Sequence, residues 1–443
     1  MKKILAHLVI IISHSGFGQT PSDSSIKWSY HFQLTAISQG HFAFKAKYSG
    51  TNSLESVAEG NAMSVTSTLF FGRKLWKNAA IYGNAEIGGG TGLSSTRGVA
   101  GFPNGETYRI GNPAPEVYVA RLYYVQYFPL KNTSYEKIED DANQVEELIP
   151  TSRITLRAGK FSISDFYDNN SYSHNPRSQF MNWALMGNGA WDYPADTRGY
   201  TSGIVMELTK PSWAIRVSCI AEPKEANGLV MDYNYIKAQG LTLEAEKRWK
   251  GNTPGVVRLL VFRNSTQAPA YSTTLQEVRN GDSSDVAVYT GEKESGKYGG
   301  IKYGIGINAE QKITNSTGIF LKSSWNDGKT ATWAFTEIDR TVSAGVNIMA
   351  IFPNRKQDNL GIAAIINGIS KEHREFLNAG LYGFLIGDGK LNYGAESIAE
   401  IFYQARILKT LFACVDYQFI SNPAYNKDRG PVHVYSFRVH IQF

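Results

Sequence analysis

The chain is poor in cysteine, in charge and in long apolar runs, and each shortage removes a class of protein. Only two cysteines, Cys219 and Cys414, occur in 443 residues. They stand far apart, at a spacing that matches no disulfide scaffold, metal site or redox motif. Two unpaired strand residues are the expected outcome. Charged residues make up 19%, below the ~25% of an ordinary globular domain. The formal net charge of +6 falls to +4 once Lys2 and Lys3 are set aside. That is too little to argue for a nucleic-acid partner. Beyond the N-terminal segment no run of about 18 apolar residues occurs, so no helical membrane span is expected. At 42% hydrophobic the chain is still too apolar to be disordered.

Catalytic signatures are missing too. There is no Gly-x-Ser-x-Gly elbow and no EF-hand pattern. Gly88–Gly92 is glycine-rich like a phosphate cradle, but no Lys-Ser/Thr follows it, and a flexible outer loop is the simpler reading. No catalytic residue, metal ligand or cofactor is assigned, and the chain is not expected to be an enzyme. Asp165, Asp168 and Asp327 are taken as solvated loop carboxylates, with Ca2+ binding left open.

What is present begins with an address. Lys2 and Lys3 precede a short apolar core, Ile4 to Ile12, and Gly16 and Gly18 supply small residues for cleavage. Residues 1–18 read as a secretory signal peptide, leaving 19–443 as one domain. No cysteine follows the apolar core, so no lipid anchor is expected.

The mature chain then alternates. At its end Tyr435, Phe437, Val439, Ile441 and Phe443 share one face, while Ser436, Arg438, His440 and Gln442 share the other. Residues 301–312 set Ile301, Tyr303, Ile305 and Ile307 against Lys302, Asn308, Glu310 and Lys312. Sixteen such segments occur, at about 28–37, 62–72, 80–89, 116–128, 152–161, 199–208, 212–221, 240–249, 255–264, 300–312, 317–325, 340–351, 358–368, 391–407, 409–420 and 432–443. Short and long connections alternate between them, with 129–151 the one longer member of the short set. A soluble sandwich has no reason to sort its loops this way. An all-β transmembrane antiparallel barrel does, with short periplasmic turns, long extracellular loops and both termini on the periplasmic side. Closure leaves no unpaired edge in the bilayer. Trp28, Tyr30, Trp213, Trp249, Tyr403 and Phe443 fall near strand ends and fit an aromatic girdle. Lys137–Asp141 and Gln144–Leu148 suggest a short solvated helix inside the longer turn.

A barrel of this size can hold a lumen. Arg121, Arg153, Arg157, Arg216, Arg258 and Arg438 fall on polar strand faces, as do Glu86, Glu207, Glu244, Glu246, Glu310, Glu400 and Asp416. A wall carrying both signs suits neutral polyhydroxy solutes, which need donors and acceptors together; the competing view is that these charges pair with one another and only fill space. Loop 162–198 is long and aromatic for an outer loop, and Phe180, Trp183, Ala184 and Leu185 suggest a helical turn. Folding it into the barrel mouth would bury its rings. Trp183, Trp191 and Tyr193 would then offer faces for sugar rings, while Asn182, Asp192, Asp196 and Arg198 reach hydroxyls.

At this loop the sequence resembles the carbohydrate-selective porin family of OprB type. The resemblance is carried by Gly159–Phe161, Asp165–Phe166, Phe180–Met186 and Gly189–Tyr200, and by Gly101–Gly105, Pro223–Gly228, Trp325–Lys329, Trp333–Glu337, Gly387–Gly394 and Asn422–His433, collinear along almost the whole mature chain. One position departs: 187 is Gly where the family pattern often carries an acidic residue. The resemblance implies a sixteen-stranded barrel of the Gram-negative outer membrane that passes sugars by facilitated diffusion. Expected partners are carbohydrate solutes, outer-membrane lipid and lipopolysaccharide, and the barrel-assembly machinery through the strand ending in Phe443; a homo-oligomer is compatible. The runner-up is a general or anion-preferring diffusion porin. An enzyme or adhesin anchored by a barrel is a third, minor reading.

Overall fold

Alternating apolar residues can only be buried from water on one face, and a sheet built of such strands must curl on itself or expose an edge. Sixteen strands of this chain form a closed barrel. The computed structural model describes residues 27–106 and 114–443; the expected signal peptide at 1–18 lies outside them. The strands are β1 (Trp28–His41), β2 (Glu59–Trp76), β3 (Ala79–Gly90), β4 (Glu116–Pro129), β5 (Arg153–Phe161), β6 (Thr201–Lys210), β7 (Trp213–Ile220) and β8 (Gln239–Trp249). They continue as β9 (Gly255–Thr266), β10 (Gly300–Lys312), β11 (Thr317–Asn326), β12 (Arg340–Met349), β13 (Asn359–Gly368), β14 (Glu396–Arg406), β15 (Leu411–Ser421) and β16 (Val432–Gln442). Each pairs antiparallel with its sequence neighbours, and β16 closes on β1 in register from Gln33 opposite Gln442 to His41 opposite Val434. Phe443 locks the seam. Its N–H donates to the Phe32 carbonyl at 3.1 Å and its carbonyl accepts the Phe32 N–H at 2.8 Å.

The alternation expected from sequence is the one observed. In β9, Val257, Leu259 and Val261 face outward while Arg258, Leu260 and Phe262 are buried inside. In β16, Tyr435 and Phe437 face out while Arg438 and His440 are buried. Aromatic side chains gather at both rims of the outer face. Trp28, Tyr30, Trp76, Trp249 and Phe443 are exposed at the short-turn end, with Trp213 and Tyr403 half-buried beside them; Tyr303, Trp325, Tyr417 and Tyr435 are exposed at the long-loop end. Trp28 stacks on Tyr30 with ring centroids 6.3 Å apart.

Two local expectations are corrected. Gly88 to Gly90 complete β3 instead of opening a loop. Gly90 sits at φ +99°, where a Cβ would come within 2.0 Å of the Met63 carbonyl, so only glycine fits this close approach to β2. The segment after β4 is a two-stranded hairpin and not a helix: Tyr135–Ile138 pairs with Glu147–Pro150, and its tip closes through Asp141 and Gln144. Its dense Lys and Glu look helical, but Val145 is buried against the barrel interior and Asn143 takes a left-handed turn conformation, which no helix permits.

Candidate functional site

The loop after β5 decides what the barrel interior becomes. A long segment with little regular structure inside a barrel must find partners for its backbone N–H and C=O groups. Here the inward side chains of the wall supply them. Glu244 accepts the Asp168 N–H at 2.7 Å, and Glu310 accepts that of Ser171. Glu400 accepts the N–H groups of Met181 and Asn182 at 2.5 and 3.1 Å. Arg438 donates to the carbonyls of Pro176 and Gln179 at 2.6 and 2.8 Å, and Lys322 to those of Leu185 and Met186 at 3.0 and 3.2 Å. Asp168 takes two donors from Asn188 and one from Asn308. The expected helical turn is present as α1 (Trp183–Met186), with the Asn182 side chain accepting the Ala184 N–H.

The neighbouring wall is self-neutralising. Arg216 meets Glu207 at 2.7 Å, Glu246 at 3.1 Å and also Glu244; Arg258 meets Glu246 at 2.9 Å and Glu310 at 3.4 Å; Arg157 meets Glu207 at 3.5 Å. In low dielectric such charges must be paired. Their pairing is directed at one another, with Arg248 adding a further contact to Glu246 at 2.5 Å.

On the other side, between β1–β4 and the loop, a cavity of about 340 Å³ remains open. One set of lining residues is aromatic. Trp183 stacks on Phe102 at 4.9 Å and on Tyr193 at 5.7 Å, and Phe335 contacts both Trp183 and Tyr193 at 5.2 Å. The other set is charged and phenolic. Arg177 donates to Glu106 at 2.7 Å and lies 3.2 Å from Glu86; Arg121 forks onto Asp165 with two contacts of 2.7 Å; Arg198 pairs with Glu116 and lies 4.4 Å from the Tyr118 ring. Glu86 also accepts the hydroxyls of Tyr118 and Tyr200, at 2.5 and 2.8 Å.

Of the residues expected at a site, Trp183, Tyr193, Arg198, Arg121 and Glu86 line this cavity. The others do not. Trp191 is buried behind Tyr193, packed between it and Tyr167. Asp192 spends its carboxylate on the N–H groups of Trp333, Ala334, Phe335 and Thr336, at 2.8 to 3.3 Å. Arg153 sits at the short-turn end, on the Pro150 carbonyl. Arg157, Arg216, Arg258, Glu244 and Glu310 belong to the neutralised wall, and Glu400 and Arg438 hold the loop. Asp165 and Asp168, expected to be solvated, are loop anchors. Sequence reasoning missed Arg177, Glu106, Tyr118, Tyr200, Phe102 and Phe335 as lining groups. Phe102 and Phe335 did lie in the aromatic loop motifs; Arg177 carried no periodic signal because it stands on an irregular segment.

The loop bearing Phe335 is held from outside the strands. His373, on the helix Lys371–Asn378 (α2), is buried 3.1 Å from both Glu337 and Asp339 and stacks on Tyr271 at 4.4 Å. Burial alone would lower the His373 pKa, but Asp339 and Glu337 override it and lift it from 6.5 to about 9. Burial works upward on Asp339, yet His373 holds it below the ordinary carboxylate range. Among the described residues no His, Cys, Asp and Glu set is arranged to hold a metal ion.

Comparison with known proteins agrees with this architecture. The family model "Carbohydrate-selective porin, OprB family" matches residues 69–443. The high-pH structure of Pseudomonas putida OprB superposes at a TM-score of 0.67, with 15% identity over 94% of each chain. The low-pH structure of the same protein gives 0.46, at 13% identity over 94% of this chain and 93% of that one. Vibrio cholerae OmpT, in its in-vitro folded trimer form, gives 0.47, at 8% identity over 94% of this chain and all of that one. No curated protein matches. A family match over most of the chain, on a closed sixteen-stranded barrel, places this protein in the carbohydrate-selective porin family of OprB type: it is an outer-membrane carbohydrate porin.

Proposed function

We propose that neutral sugars cross through the cavity between β1–β4 and loop 162–198, and that this cavity is the selective part of the channel. The observation that carries this is the pairing of surfaces there. Phe102, Trp183, Tyr193 and Phe335 line it with aromatic carbon for the apolar side of a pyranose, while Arg121, Arg177 and Arg198 with Asp165, Glu106 and Glu86 offer donors and acceptors for its hydroxyl rim. Contacts of this kind are individually weak and several, so a solute is held briefly and released downhill without an energy source.

The runner-up is an anion-preferring diffusion pore, favoured by three guanidinium groups beside the cavity. Each has a carboxylate partner, Asp165, Glu106 or Glu116. That near-balance supports neutral solutes over anions.

Long loops face the exterior and short turns the periplasm, in the usual sense of outer-membrane barrels. A leader at 1–18 would bring the chain across the inner membrane, and the exposed ring of Phe443 at the seam is the natural handle for barrel assembly. The test is single-channel current in a planar bilayer titrated with mono- and disaccharides. Saturable block by sugars, with a reversal potential near zero in a salt gradient, is expected. Equal permeation of sugars and non-sugars of equal size would overturn selectivity.

A further inference from the structure

Connection 130–152 is far longer than the other turns at its end of the barrel, such as 77–78 and 211–212. Its stem is the hairpin described above. Its tip folds back under the barrel. Val145 is buried, donates its N–H to the Tyr82 hydroxyl at 3.3 Å and packs over Gly72 on the inner face of β2. Asn143 accepts from Asn84 at 2.9 Å. The Asp140 carboxylate lies 3.4 Å from His31 Nε2, and the Asp141 carbonyl accepts from Ser29 at 3.4 Å. Glu147, at the start of the return strand, is fixed by the Asn78 N–H at 3.0 Å and by Lys74 at 3.1 Å.

These anchors sit on β1, β2 and β3, the strands that border the open cavity. On β1 and β3 the next inward residue above an anchor lines that cavity: Gln33 lies above His31 and Glu86 above Asn84. Ala142, at the apex of the tip, lines it as well.

We infer that the tip 139–146 is the exit constriction of the channel, and that solute leaving the cavity passes Ala142. At the periplasmic end this segment, and not the barrel wall, then sets the size limit. Strand geometry alone would leave this end wide, since a barrel of this strand number encloses an aqueous bore. The inference rests on the cavity being the conducting path, but it is tested with salt, independently of any sugar.

The experiment uses the full barrel in planar bilayers bathed in KCl, in a Cys219→Ser, Cys414→Ser background. The Ala142→Cys variant is modified with a bulky thiol reagent added to the periplasmic side. Conductance is expected to fall by at least about twofold, because the added group stands in the narrowest part of the path. Replacing 139–146 with a short Gly-Ser link should raise conductance by a similar factor and admit larger saccharides. An unchanged current after complete labelling of the Ala142→Cys variant overturns the inference, and that arm needs no deletion to fold. If labelling closes the pore while sugars fail to block the unlabelled protein, the constriction stands and the sugar-selective reading falls.

Discussion

The inner wall of this barrel has two sides built from the same alternating pattern, and they do different work. On β5–β11 the inward charges are consumed. Arg157, Arg216 and Arg258 face Glu207, Glu244, Glu246 and Glu310, and what remains of those carboxylates caps loop backbone. On β1–β4 the inward groups border a cavity and meet side chains of the loops across ion pairs that also face it. A polar inward position is therefore only a candidate for solute contact. Where the loop lands decides whether it holds the loop or meets the solute.

The largest effects should come from the consumed side. Arg216→Met leaves three buried carboxylates short of a partner and should cost about 3–5 kcal/mol of barrel stability, read as urea unfolding in detergent, with sugar block retained in whatever folds. Trp191→Ala should behave likewise, losing about 3–5 kcal/mol through the cavity left behind Tyr193; a loss of sugar block at unchanged stability would instead put Trp191 on the solute path and break the distinction.

A single step along β9 sharpens the contrast between inside and outside. Arg258 is held by Glu246 and Glu310, whereas Leu259 faces outward. Leu259→Arg would set a guanidinium against lipid and should cost about 2–4 kcal/mol near the bilayer midplane, measurable in refolding titrations into lipid vesicles.

On the open side an effect on binding should accompany any loss of packing, since Trp183 is itself almost fully buried. Trp183→Ala removes the central ring of the aromatic lining and should weaken sugar block by about 0.5–1.5 kcal/mol, roughly two- to tenfold, on the scale of an aromatic contact. Current-block titration with the barrel's heat-modifiable gel shift as a folding control separates the two readouts.

The smallest effect concerns pH. His373 has a folded pKa above its unfolded value, so its stabilisation is fully present below pH 6.5 and is lost as pH rises through about 9. Asp339 has a folded pKa below its unfolded value, so its share is lost as pH falls through the acid range. The loop carrying Phe335 should thus be best held near neutrality, with current noise rising at alkaline pH. His373→Gln should abolish the alkaline rise; a rise that persists would assign it elsewhere.

Much of this was legible in the chain. The segment 300–312 matches β10 at both ends, and the other fifteen expected strands each overlap an observed one. Lipid and water sort side chains by a period of two, and that rule acts residue by residue. The turn in loop 162–198 was legible for the same local reason, from Phe180, Trp183, Ala184 and Leu185. The hairpin after β4 was not, because its geometry is set by burying Val145 against Tyr82 more than sixty residues earlier in the chain. Nor could Trp183 be told from Trp191, eight residues apart in one aromatic loop, since only the folded loop turns one toward the cavity and the other away from it.

By itself, then, the sequence determined a closed barrel, its strand count, its inside and its outside, because each depends on local alternation and on the absence of open edges in a bilayer. Only the tertiary structure decided which of the inward arginines and carboxylates border the open space. That choice depends on which wall groups the backbone of loop 162–198 claims, and backbone hydrogen bonding across a lumen leaves no period in the chain.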